Sequence, residues 1–259
     1  MKRTPLSVDI RGFPEEFHSL LTQSRIFDSS CSKEARVWYL DKGFYLKTAA
    51  PASLKTESEM TRYFHEKGLG AEVLAYVQQE QDWLLTRSIP GEDCTFFRYR
   101  EDPKRLCDTL AELLRRLHET DYSGCPVTDR CGAYLHRAET NRRRGFCDLS
   151  LFPEGWGFSS PEEAWAELSQ NGQFLQNEVL LHGDYCLPNI ILDDWNFSGF
   201  IDLDSSGVGD RHMDLFWGVW TLNYNLKTNA FYDRFLDVYG RDVLIPEKLR
   251  TVAAFEVFG

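Results

Sequence analysis

The run Leu180-Leu181-His182-Gly183-Asp184-Tyr185-Cys186-Leu187-Pro188-Asn189-Ile190-Ile191-Leu192, followed by Gly199-Phe200-Ile201-Asp202-Leu203-Asp204, is the most informative stretch of this chain. An apolar strand empties into a polar turn and returns to an apolar strand, and one hairpin later another apolar strand ends in an acid. Asp184, Asn189 and Asp202 are thereby delivered to loop ends beside buried strands. Phosphoryl transfer needs such a set: a carboxylate to hold and deprotonate an attacking hydroxyl, and hard oxygen ligands for a Mg2+ that bridges phosphates. Outside that chemistry the same three residues would be capping and turn-stabilising groups.

Upstream of this segment the pattern is β-rich. Ile26-Phe27-Asp28, Arg36-Val37-Trp38-Tyr39-Leu40 and Phe44-Tyr45-Leu46-Lys47 read as short antiparallel strands, with Asp41-Lys42-Gly43 as a hairpin turn. Leu54 to Lys67 reads as a helix, with Met60, Tyr63 and Phe64 at helical spacing and Gly68 to Gly70 ending it. Strands resume at Glu72 to Val77 and Asp82 to Thr86. After Ile89-Pro90-Gly91 helices take over, first Pro103 to Glu119, whose Leu106, Leu110, Leu113, Leu114 and Leu117 form one apolar stripe. Further helices are expected at Gly132 to Arg144, Pro161 to Gln170, Met213 to Leu226, Ala230 to Tyr239 and Pro246 to Phe258. The expected division is therefore 1–88 and 89–259, with no internal repeat.

With 259 residues, 42% of them hydrophobic, the chain can bury a sizeable core. A net charge of −11 argues against nucleic acid or an anionic membrane as partner and favours a cationic ligand. The seven cysteines are odd in number and contain no C-x-x-C pair, so neither a disulfide framework nor a structural zinc site is expected, and a reducing cytoplasm fits. The first residues lack the apolar core of a leader, and no run of about 18 apolar residues occurs, so neither export nor membrane spanning is expected.

His-Gly-Asp-x4-Asn, with Ile-Asp beyond it, resembles the Brenner-type motif of the aminoglycoside phosphotransferase family and of related choline and homoserine kinases. The likeness extends over nearly the whole chain and is strongest to the 3′-phosphotransferases. It implies a two-lobed α+β protein-kinase-like fold: a five-stranded antiparallel amino-lobe, a mainly α-helical carboxy-lobe, and a nucleotide in the cleft. By the same resemblance Asp184 is the catalytic base, and Asn189 and Asp202 are Mg2+ ligands. Tyr45-Leu46-Lys47 resembles the family's third-strand lysine, which reaches the α- and β-phosphates, and Glu59 matches the acid that pairs with it, with Glu57 as competitor. Leu84 to Gly91 resembles the hinge, which implies adenine contacts from main-chain groups of Arg87 and Ile89 and leaves ATP or GTP open as donor. The chain has no G-x-G-x-x-G and no G-x4-G-K-[ST], so the phosphate-covering loop is expected within Ser29 to Lys33, with Ser29, Ser30 and Ser32 as candidates. Asp214 matches an acid that buttresses the catalytic loop, and His182 and His118 match scaffold positions.

The resemblance further implies a polycationic aminoglycoside, phosphorylated at its 3′-hydroxyl as in antibiotic resistance and held by carboxylates that include a C-terminal Asp-Glu-x-Phe. Here that element reads Phe255-Glu256-Val257-Phe258: Glu256 and Phe258 match and Phe255 replaces the acid. An arginine and two acids on a nearby helix are replaced by Trp220, Tyr224 and Asn225. Asp148 and Glu154 are candidate substitute carboxylates, and Trp156, Trp220 and Tyr224 could stack on a sugar or quaternary amine instead. Three alternatives stay open: a kinase of homoserine, choline or a sugar; a metallohydrolase built on His182, Asp184, Asp202, His212 and Asp214; and a pseudokinase.

Overall fold

The computed structural model describes residues 3–150, 152 and 157–259. It divides into two compact units, one of residues 1–93 with 190–204 and the other of residues 94–189 with 205–259.

The first unit is built on a six-stranded antiparallel sheet of β1 (Thr4–Leu6), β2 (Ile26–Asp28), β3 (Ala35–Leu40), β4 (Phe44–Ala49), β5 (Val73–Gln78) and β6 (Asp82–Arg87), in the order β1-β2-β3-β4-β6-β5. It has one strand more than the resemblance implies, because Pro5 pairs with Phe27 at an edge, where a missing N–H costs no ladder bond. Strand alternation puts Trp38, Leu40, Leu46, Trp83 and Leu85 on one face, buried against Phe17 and Leu21 of α1 (Glu15–Thr22). That short helix is absent from the sequence reading, since Phe17, Leu20 and Leu21 span little more than one turn, too short a run to declare a period. Tyr45 and Lys47 occupy the opposite face. α2 (Lys55–Glu66) is fixed at its start by the wholly buried Asp82, whose carboxylate accepts hydrogen bonds from Ala52 N, Leu54 N and the Tyr76 hydroxyl at 2.8–3.0 Å.

Three further strands complete this unit. β7 (Glu92–Asp93) pairs with β9 (Ile190–Asp193), which forms a hairpin with β10 (Asn196–Phe200) through Asp194 and Trp195, both at positive φ as a two-residue turn requires. Gly91, at φ +103°, lets the backbone pass so close that an added Cβ would lie 2.2 Å from the Leu192 carbonyl oxygen. Phe200 donates its N–H to Leu69 O at 2.7 Å and stands edge-on to Phe64. These contacts carry the hairpin into the first unit, although it lies far along the chain.

The second unit is mainly helical: α3 (Phe97–Arg100), α4 (Pro103–His118), α5 (Arg130–Arg143), α6 (Pro161–Asn171), α7 (Arg211–Leu226), α8 (Tyr232–Tyr239) and α9 (Pro246–Glu256), with β8 (Val179–Leu181) paired to β11 (Gly207–Gly209). The leucine stripe of α4 is buried as its spacing predicts, and Asp102 with Pro103 starts the helix. α7 begins two residues before the expected Met213, because the Asp210 side chain accepts from His212 N and caps it. Among the described residues no helix is long and apolar enough to cross a membrane.

Candidate active site

In the first unit Lys47, half-buried on β4, holds its ammonium 2.7 and 2.9 Å from the two oxygens of Glu57 and 2.8 Å from Asp202. Burial works against the lysine's charge, but the carboxylates of Glu57 and Asp202 outweigh it and hold the ammonium above the usual lysine range. The partner is therefore not Glu59, which is half-exposed and lies 3.9 Å from Lys55. The signal was present in the sequence: Glu57 stands three residues before Met60 and seven before Phe64, on the buried stripe of α2, whereas Glu59 lies on the far side. Asp202, just after β10, takes φ +60°, a conformation uncommon for a residue with a side chain, and leaves half of that side chain exposed.

The segment after β6 leaves main-chain groups open. Arg87 donates its N–H to Glu72 O and Ser88 donates to Gly43 O, both at 2.9 Å, while the main-chain groups of Ile89 meet no partner among the described residues. The Ile89 side chain fits over Gly199, where a Cβ would come within 2.6 Å of it. In the loop from β2 to β3, Ser30 bridges Asp28 and Val37, and the exposed Ser32 accepts from Ala35 N at 3.4 Å.

In the second unit the loop after β8 is clamped from below. Asp214, wholly buried in the first turn of α7, accepts from the N–H groups of His182 at 2.7 Å and Gly183 at 2.8 Å, with His118 Nε2 at 3.2 Å. Gly183 has φ +83°, and an added Cβ would lie 1.9 Å from Ser205 O, so this position admits only glycine. Tyr185 donates its hydroxyl to Leu110 O at 2.7 Å, and Leu187 N donates to Thr221 Oγ1 at 3.1 Å. Asp184 projects from this rigid turn only partly covered, with Asn189 Nδ2 donating to its Oδ2 at 2.8 Å and to its carbonyl at 3.0 Å. That use of the amide nitrogen leaves Asn189 Oδ1 as the end available to a cation. Asn189 and Asp202 thus offer hard oxygens of the kind Mg2+ takes.

The expected acceptor-binding residues are placed unequally. Glu256, at the end of α9, is buried, and Trp217 Nε1 donates to its Oε1 at 3.2 Å; the nearby Tyr134 hydroxyl donates to the Gly183 carbonyl oxygen at 3.3 Å. Burial pushes the Glu256 carboxyl up to about 7, opposed by Arg137. Phe258 is fully buried edge-on to Trp165, and Phe255 packs against Tyr134 and Gly172, so neither aromatic ring faces solvent. Asp148 is exposed and spends Oδ1 on the N–H and hydroxyl of Ser150. Glu154 and Trp156 lie outside the described residues. Trp220 stacks on Tyr224 with ring centroids 4.9 Å apart, and Lys227 sits 4.2 Å over the Tyr224 ring.

Residues 32–254 match the phosphotransferase enzyme family. The chain belongs to that family. A probable aminoglycoside 3′-phosphotransferase of Lactococcus lactis is 48% identical over 98% of both chains, and an aminoglycoside 3′-phosphotransferase of Niallia circulans is 28% identical over 96% of this chain and 98% of that one. Among solved structures, an aminoglycoside 3′-phosphotransferase of type VIII superposes with a TM-score of 0.76 at 27% identity, covering 94% of this chain and 97% of its own. An aminoglycoside phosphotransferase of Streptomyces rimosus shares the fold with a TM-score of 0.79 at 24% identity, covering 97% and 99%, and has also been solved with ADP and streptomycin. The two-lobed, kinase-like α+β fold and the phosphotransferase class are those expected from the His-Gly-Asp segment.

The hydrolase alternative finds its histidines engaged elsewhere. His212 lies with Nδ1 2.6 Å from Asp210 and accepts from Ile245 N at Nε2, while His182 Nδ1 accepts from Asp184 N. Among the described residues no three His, Cys, Asp or Glu side chains converge as a metal cluster.

Proposed function

We propose that this chain transfers the γ-phosphoryl group of a nucleoside triphosphate to the 3′-hydroxyl of an aminoglycoside. The observation that carries the reading is the Asp184 carboxylate, held by Asn189 in a turn whose backbone is pinned by Asp214. In that role Asp184 accepts the proton of the attacking hydroxyl, and Lys47, kept charged by Glu57 and Asp202, faces the phosphates. Asn189 and Asp202 are the ligands for Mg2+, which when bound neutralises charge on the phosphates. The base of the nucleotide, ATP or GTP, is taken at the main chain of Ile89 and at the carbonyl of Arg87, whose N–H is already committed to Glu72. Ser32 and its neighbours cover the phosphates, and Glu256 receives an ammonium group of the acceptor. The 48% identity to a probable aminoglycoside 3′-phosphotransferase over almost all of both chains supports the choice of acceptor.

The test is a panel assay with purified protein, Mg2+ and ATP or GTP, scoring nucleoside diphosphate release with kanamycin, neomycin, streptomycin, homoserine and choline side by side. Phosphorus NMR of the product then locates the phosphate. Turnover of kanamycin at the 3′-hydroxyl is expected; phosphorylation of homoserine or choline with no aminoglycoside turned over would refute the acceptor and leave the kinase chemistry standing.

A further inference from the structure

The first unit holds a cavity of about 610 Å³ between residues 7–13 and the neighbouring ends of β3, β4 and β6. Trp38 of β3 and Trp83 of β6 stack there with ring centroids 5.9 Å apart, and Phe13 meets them at 4.9 and 5.2 Å. Both tryptophans are almost enclosed, at 5% and 6% exposed, yet neither indole N–H has a hydrogen-bond partner among the described residues. An indole N–H can only donate, and a buried donor left unpaired is costly. No wholly enclosed side-chain nitrogen or oxygen among the described residues lacks a partner, so these two N–H groups reach accessible space, and the cavity is the space that both residues line. Arg36, which also lines it, stands two residues before Trp38 and opposite Thr48, on the same sheet face, and its guanidinium pairs with no carboxylate among the described residues. Gln81 Oε1 accepts from Thr48 Oγ1 at 3.3 Å, which leaves the Gln81 amide N–H groups to donate. The two acids on the lining are already met, Asp9 by Arg11 at 2.6 Å and Glu34 by the Lys33 N–H at 3.1 Å.

We propose that this cavity binds a small organic anion, a carboxylate carried on a flat apolar body. A carboxylate only accepts hydrogen bonds, and it matches a guanidinium through two parallel ones while its remaining lone pairs take the indole and amide N–H groups. The apolar body lies against Phe13 and the two indoles, and the volume is that of a small-molecule site. A polycation is refused, because its ammonium groups meet donors, so the cavity is not a second site for the acceptor of the phosphoryl group. Nor is it part of the nucleotide site: strand alternation sets Trp38, Trp83 and Thr48 on the face opposite Lys47 and Tyr45. Its occupant instead touches the segment Lys33 to Arg36, by which the loop after β2 returns into β3.

Isotope-labelled tryptophan in the full chain gives an NMR resonance for each indole N–H, and Trp38→Phe and Trp83→Phe assign the two that line the cavity. Titration with 2-naphthoate should move both of them while the other indole resonances stay in place. In calorimetry, 2-naphthamide, the same body without the charge, should bind at least about tenfold more weakly than 2-naphthoate. Arg36→Met alters an exposed side chain and leaves the core intact, and it should weaken 2-naphthoate by a similar factor. The two shifts should persist under saturating Mg2+ and ADP, since the opposite sheet face is used. Resonances that stay in place, or naphthamide or Arg36→Met binding as tight as the reference, overturn the proposal. It is equally overturned if ADP displaces 2-naphthoate, or if inorganic phosphate moves the two resonances and 2-naphthoate does not.

Discussion

The acid that pairs Lys47 gives the sharpest test of the first unit. Glu57→Gln keeps the shape and one hydrogen bond but removes the charge that faces an ammonium at 2.7 and 2.9 Å. A hydrogen bond to a charged group contributes roughly 1.5–3 kcal/mol, which as lost transition-state stabilisation is about 10- to 150-fold in kcat/KM. Asp202 then becomes the lysine's remaining carboxylate and draws it away from the phosphates, so kcat should fall along with nucleotide affinity. Glu59→Gln touches a half-exposed side chain 3.9 Å from Lys55, where the expected change is within about 0.5 kcal/mol, or roughly twofold. Steady-state kinetics over nucleotide concentration, with both variants checked by thermal unfolding, separate the two. Equal losses in Glu57→Gln and Glu59→Gln, or a Glu57→Gln enzyme within twofold of wild type, would refute the pairing.

Asp184→Asn should lower kcat by at least about 10²-fold with nucleotide affinity preserved in an equilibrium binding assay, and a loss of only a few-fold would remove Asp184 as the base. Phe255→Asp, which would restore the family's C-terminal acid, should instead cost at least about 3–5 kcal/mol, because the ring is buried against Tyr134 and a carboxylate in its place has no water. Thermal unfolding should show a fall of roughly 6–20 °C, and a lowered kanamycin KM in a stable variant would contradict it. Stability should also depend on Glu256: with its folded pKa raised to about 7, the folded state binds the proton more tightly than the unfolded chain does. Its contribution is present at acid pH and is lost as pH rises through neutrality, so the Tm of Glu256→Gln relative to wild type should climb between about pH 5 and 8. A Tm difference that is flat across that range would count against a raised Glu256.

Much of the fold and the chemistry is legible in the linear pattern, for local reasons. The His-Gly-Asp turn, Asn189 and Asp202 lie within one short stretch, and the leucine stripe of α4 repeats long enough to declare its buried face. The strands β3, β4 and β6 alternate, and their hairpin and turn residues mark their ends. Features that depend on distant partners were not legible in this way. The hairpin of β9 and β10 joins the first unit only because Gly91 and Phe64, far upstream, accept it. Glu57 and Glu59 are both acids in the same helix, and which of them meets Lys47 is set by the rotation of α2, anchored by Asp82 and by the burial of Met60 and Phe64. Phe255 and Phe258 read as pocket-lining residues by position, yet packing of α9 against α5 and α6 turns both rings inward. Sequence therefore determined the chemical groups and the local turns that present them; tertiary packing decided which groups meet, because burial and hydrogen-bond partnership are properties of assembled elements and not of neighbours along the chain.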